Sequence, residues 1–209
     1  MDNTLITDAA VTLTDETLGA SRNLSADADG IFRDSEPGVS GHLYSLSVIR
    51  KEEQYTSKSQ MLPEPELVGL EFQWINMPYD QVACLQIFFR DPPTAGDCYW
   101  IRIYRNGEAY MWSLIDDRLA EDGIIHEVVM TSRKNPDDED DKSNLVNGDV
   151  VAVEILPVSL SMLDYLIALE NDSNGPQMFR GDFCLGYYLA AAPSRGSIVF
   201  HPDEIKVFK

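Results

Sequence analysis

The alternation of apolar and polar residues is the dominant regularity of this chain, and its period is two. Ala10 to Asp15 sets Val11 and Leu13 on one side and Thr12 and Thr14 on the other. Gly41 to Ile49 puts Tyr44, Leu46 and Val48 on a single face, and Glu52-Glu53-Gln54 then predicts a turn into a strand over Tyr55 to Ser59. Further strands are predicted over Leu67 to Ile75, Val82 to Phe89, Cys98 to Tyr104, Tyr110 to Leu114, Ile124 to Thr131 and Val150 to Leu156. Within the third of these, Tyr99, Ile101 and Ile103 oppose Trp100, Arg102 and Tyr104. Asn106-Gly107 between two such runs is a strong hairpin signal, because both residues tolerate the positive φ that a tight turn needs. The period changes to helical only at about 161–170, where Met162, Leu163, Leu166, Ile167 and Leu169 form a wide apolar face. Ser161 with Asp164 three residues on has the form of a capping box.

Met61-Leu62-Pro63-Glu64-Pro65-Glu66 is the best candidate boundary, since two prolines among acids favour an extended, solvated segment. The pattern predicts an all-β chain with one short helix and two β-sandwich domains, Ig-like or prealbumin-like. The first would occupy 1–62, and the second 63–209 with the helix inside it. The last apolar stretch, Phe183 to Phe200, is expected to form a hairpin turning at Ser194-Arg195-Gly196. Its first arm carries no charge on either face, which predicts a central strand with Leu185, Tyr187 and Leu189 in the core. Gly186 would there permit a close approach by a neighbouring strand or ring.

Charge narrows the function classes. Thirty-five acids against sixteen lysines and arginines give a net charge of −19. Nucleic acid is therefore not an expected partner, because phosphate binding needs clustered cations, and a basic membrane-binding patch is likewise disfavoured. No apolar run reaches the ~20 residues of a membrane-spanning helix. Met1-Asp2-Asn3-Thr4 has neither the basic nor the apolar region of a signal peptide, so the sequence is expected to lack one or to be missing an upstream segment. Cys84, Cys98 and Cys184 are widely spaced, with no CxxC. Three buried free thiols, or one disulfide with a free thiol, are both compatible with them, and the first is favoured.

Candidate chemistry is sparse. Asp137 to Asp141 is rich in carboxylates but lacks the alternation and glycine of a calcium loop, so it reads as a solvated loop. Asp27-Ala28-Asp29-Gly30 carries only part of that pattern and reads as a turn. Asp116, Asp117, Glu121 and Asp122 could supply paired carboxylates for glycoside hydrolysis, although a turn is the better reading. His42, His126 and His201 are scattered, and no nucleophile elbow, P-loop or dinucleotide fingerprint occurs. No catalytic residue, metal or cofactor is expected. What remains is aromatic: Trp100, Tyr110 and Trp112, with Arg102, are the candidate ligand-binding residues, since aromatic faces pack on sugar rings.

Two resemblances add to this. The order Ala10-x-Val-x-Leu-x-Asp15, an acidic turn with Gly30, Gly41-x-x-Tyr44-x-Leu46 and Tyr55-x-Ser57 resembles carboxypeptidase-regulatory and transthyretin-like sandwich modules. Over nearly the whole length the chain resembles the Bacteroidota lipoproteins carrying the domain of unknown function numbered 4249. That likeness rests on the Ala10 and Gly41 strands, Phe89-Arg90-Asp91-Pro92-Pro93 before Cys98-Tyr99-Trp100, Ile115-Asp116-Asp117-Arg118, and the Tyr165-Leu166 helix followed by Cys184-Leu185-Gly186-Tyr187. Cys98 departs from the asparagine usual there, the segment before Cys184 is short, and the lipidation cysteine is absent. The resemblance implies a cell-envelope, outer-membrane-anchored accessory protein that works beside a TonB-dependent transporter or binds a glycan or peptide. Membrane contact would be only through a lipid anchor. A carboxylate-dependent glycoside hydrolase and a calcium-stabilised adhesin are the alternatives.

Overall fold

The computed structural model describes residues 6–92, 98–116, 123–135 and 143–207. The chain is mostly β and divides into two compact units, 1–63 with 160–192, and 64–159 with 193–209.

The first unit is one antiparallel sheet. Its strands are β1 (Ala10–Asp15), β2 (Ala20–Ala26), β3 (Phe32–Arg33), β4 (Leu43–Arg50) and β5 (Glu53–Gln60). A late strand, β12 (Arg180–Gly181), completes the order β12-β5-β4-β1-β2-β3. The strands expected to form a small sandwich over 1–62 thus share one layer. The register stacks Val11, Val48 and Tyr55 in one row and Thr12, Ser47 and Thr56 in the next, so alternation makes one face apolar and the other hydroxyl-rich. Cover for the apolar face comes from residues distant in sequence. Ser57 donates to the Met178 carbonyl at 2.7 Å, and Ala190 N–H donates to Ser59 Oγ at 3.0 Å. Burial beside Tyr44 pushes the Tyr188 phenol up to about 12.

The helix α1 (Leu160–Glu170) forms as its periodicity predicts, with Met162, Leu163 and Leu166 buried. Ser161 lies inside its first turn rather than capping it. α1 and the residues up to Ala192 belong to the first unit, whereas the sequence pattern assigns them to a second domain of 63–209.

The second unit holds two four-stranded sheets. One runs β10-β7-β6-β14, from β6 (Glu66–Asn76), β7 (Gln81–Arg90), β10 (Ile124–Arg133) and β14 (Lys206–Val207). The other runs β13-β11-β8-β9, from β8 (Cys98–Arg105), β9 (Glu108–Asp116), β11 (Val150–Val158) and β13 (Ser194–Val199). Leu85, Ile87 and Phe89 from the first meet Tyr99, Ile101, Ile103, Val151, Val153 and Ile155 from the second in one fully buried cluster. Phe89 stands edge-on to Tyr99 with ring centroids 4.8 Å apart. The Asn106-Gly107 turn forms with φ of 51° and 86°, the positive pair its sequence predicts.

The closing hairpin does not form. Phe183 to Ala190 belongs to no strand, and Phe183 and Leu185 are 79% and 83% exposed. Ser194-Arg195-Gly196, expected as the turn, opens β13 instead. Gly186 takes φ 130°, which interrupts an extended arm, and a Cβ there would meet open space. The close approach expected at Gly186 belongs to Gly196, which packs beneath Leu67 and Leu70.

Candidate functional site

The outer face of the β13-β11-β8-β9 sheet gathers the polar and aromatic residues of the second unit. Pairing sets Arg195 opposite Glu154, Glu154 opposite Arg102, and Arg102 opposite Trp112, so one row crosses all four strands. The adjacent row is Leu156, Trp100 and Leu114. Side chains in directly opposed positions stand close enough to interact, and these do.

Glu154 is the hub. It accepts hydrogen bonds from Arg102 at 2.5 Å, Arg195 Nε at 2.7 Å and the Tyr104 hydroxyl at 3.0 Å. Burial raises its carboxyl pKa, but the bonds from Arg195 and Tyr104 and the Arg102 charge outweigh that and hold it below the ordinary value. The Tyr104 phenol shifts the opposite way, through burial and then its bond to the same carboxylate. Arg102 also lies over the Trp100 ring, 5.0 Å from its centroid, and 5.9 Å from that of Tyr104. Its Nε is buried with no hydrogen-bond partner among the described residues, and the terminal nitrogen on Glu154 and the rings hold the guanidinium.

Trp112 meets Trp100 edge-on, centroids 6.1 Å apart at 75°, and stays 37% exposed. One indole is thus occupied by Arg102 while the other remains available. Two arginines flank one glutamate in this row, and alternation along β9 adds Asp116 to the same face. Such a face can stack a ring and hydrogen-bond hydroxyl or carboxylate groups.

Of the four residues singled out from sequence, Trp100, Arg102 and Trp112 come together here. Tyr110 does not. A bulge pairs Ile103 with Met111 but Tyr104 with Ala109, so the ladder register skips Tyr110. Its side chain is half-buried against the core, and its hydroxyl donates to the Thr131 carbonyl at 3.0 Å and to the Ser143 carbonyl. Glu154 and Arg195 were missed by sequence reasoning. The signal for Glu154 was a single charge within the apolar run Val150 to Val158. Arg195 was assigned to a turn.

The remaining candidates that the structure describes each have a local partner. Asp27 accepts from the N–H groups of Asp29 and Ile31 and pairs with Arg33, which closes the β2–β3 turn. His42 bonds Asp15 at 2.8 Å, His126 bonds Gln86 at 2.6 Å while stacking on Phe88, and His201 bonds Asn147 at 3.0 Å. Asp137 to Asp141, and Asp117 to Asp122 with Glu121 between them, lie outside the described residues. Among the described residues no group of three or more His, Cys, Asp or Glu side chains is placed to hold a metal ion.

No family model matches this chain, and neither does any curated protein. Among solved structures, a two fibronectin type-III domain segment from chicken tenascin is similar at 12% identity and a TM-score of 0.32, covering 92% of this chain and 83% of that one.

Proposed function

We propose that this chain is a non-enzymatic binding module of a cell-envelope protein, with an Ig-like sandwich as its second unit. The outer face of β8, β9, β11 and β13 is its ligand face. The ligand is a glycan, stacked on Trp112 and hydrogen-bonded by the Arg102–Glu154–Arg195 row. The observation that carries the reading is the half-open tryptophan pair beside an ordered charged row on one sheet face. In the cell the module serves as an accessory to TonB-dependent uptake at the outer membrane, which the likeness to the lipoprotein family supports.

Glycan-array binding by the wild-type chain and by Trp112→Ala tests this. Loss of one ring stack should weaken glycan binding about tenfold, with the thermal midpoint little changed because the side chain is partly exposed. Failure of the wild-type chain to bind any glycan, or full binding by the variant, would overturn the reading.

A further inference from the structure

Two open cavities belong to the first unit. One, of about 280 Å³, is bounded by Thr56, Ser57, Lys58, Gln177, Met178 and Arg180. The other, of about 540 Å³, shares Gln177 and Met178 in its wall and adds Tyr165, Leu169, Phe183 and Leu185. Their chemistries are opposite. In the first, Arg180 and Thr56 are cross-strand partners, and Lys58, two residues on from Thr56, projects from the same face. Lys58 is engaged by Glu16 at 2.7 Å. Among the described residues the side chains of Arg180, Thr56 and Gln177 make no hydrogen bond or ion pair, so their donors face the cavity unspent. The second cavity is lined by apolar groups that water covers at a cost, with Leu169 55%, Phe183 79% and Leu185 83% exposed. Single exposed apolar side chains are ordinary, whereas several around one cleft mark a binding surface.

We propose that the two cavities form one site for a single-chain anionic amphiphile. Its oxyanion head, carboxylate or phosphate, bonds Arg180, and its aliphatic tail lies along Leu169, Phe183 and Leu185. Met178 stands between the two ends, and an unbranched thioether adapts readily to a chain passing over it. The occupant is a monomer rather than a bilayer. Cavities of several hundred Å³ suit one small molecule, and a chain of net charge −19 is repelled by an anionic membrane surface.

Decanoate, decyl phosphate and decanol, each below its micelle-forming concentration, separate head from tail. Cys184 lines the second cavity and is a half-buried free thiol, while Cys84 and Cys98 are buried. Its alkylation by iodoacetamide therefore reports occupancy alongside calorimetric titration. Both anions should slow Cys184 alkylation. Arg180→Ala should weaken both anions at least about tenfold, the loss of a charge-assisted hydrogen bond, and leave decanol unchanged. Leu185→Ser should weaken all three probes. Both side chains are exposed, so an unchanged urea midpoint verifies the fold of each variant. Trp112→Ala should leave decanoate binding as it is, which keeps this site separable from the glycan face. Absence of protection and heat with decanoate, an unaltered decanoate affinity in Arg180→Ala, or protection only by phosphatidylglycerol vesicles would each overturn the proposal.

Discussion

The two units are built from similar strands but hold them by different means. In the second unit, two sheets press Leu85, Ile87, Phe89, Ile101, Ile103 and Val153 against one another, all essentially inaccessible to water. In the first, a single sheet has only Val11 and Tyr44 among its buried apolar residues. Its hydroxyl face is joined by short polar bonds such as Thr12 to Asn23 and Thr14 to Ser21, both 2.9 Å. The contrast teaches where stability resides. Burial between two layers removes apolar area on both sides from water, while one layer must borrow its cover from distant chain.

The most demanding check compares core truncations. Phe89→Ala should cost about 3–5 kcal/mol, and Val11→Ala about 1–2 kcal/mol. Trp74, Trp100 and Trp112 all lie in the second unit, so tryptophan fluorescence in urea follows that unit alone while circular dichroism follows both. Phe89→Ala should lower the fluorescence midpoint and Val11→Ala should leave it in place. Equal shifts would erase the distinction.

Next come two glycines, one from each unit. Gly181 pairs with Tyr55 at the sheet edge with φ 105°, and a Cβ there would collide with the Gln54 backbone carbonyl. Gly181→Ala should cost about 2–3 kcal/mol and free β12 to exchange its amides. Gly196→Ala would clash with the end of the Leu67 side chain, which can turn aside, and touch Leu70 at ordinary contact distance, so about 1 kcal/mol is expected. Hydrogen exchange at Arg180 and Gly181 reads the first, and the fluorescence midpoint reads the second.

A further effect concerns acid. Asp149 is buried, and burial alone would raise its carboxyl pKa. The Val146 N–H at 2.7 Å, Asn106 and Arg105 outweigh that and hold it below the ordinary value of 3.8. A depressed carboxyl contributes stability that is complete above its unfolded pKa and lost as pH falls through the folded one. The fluorescence midpoint should therefore hold down to about pH 5 and drop below it. In Asp149→Asn it should start lower at neutral pH, by about 1.5–3 kcal/mol for the weakened bonds to a charged group, and fall less steeply in acid.

Strand positions were legible wherever alternation was strict. β1 occupies the residues its pattern predicts, β6, β7, β8 and β11 extend theirs by one or two, and β4 starts two residues after the predicted Gly41 and ends one beyond Ile49. β2 was not legible, because Ala-Ser-Arg-Asn-Leu-Ser-Ala is poor in β-branched and aromatic residues and gains its pairing from β1. The candidate site was half legible. Trp100 and Arg102 share a face by period alone, and Trp112 joins them through the register of a hairpin whose turn is local in sequence. Glu154 and Arg195 arrive from strands far along the chain, and Tyr110 leaves through a bulge that alternation cannot encode.

The sequence by itself determined the β character, the tight turn at Asn106-Gly107, the helix, and the segregation of threonine and serine from valine and leucine across β1 and β4. Each of these follows from the backbone and its immediate neighbours. Tertiary structure alone decided that 160–192 leaves the second unit and returns, so that β11 pairs with β13 across the excursion. It also decided that the uncharged Phe183 to Gly186 lines a cleft rather than filling a core. An apolar run records only that its side chains avoid water. Which surface they meet depends on the strand edges left unpaired by the rest of the chain.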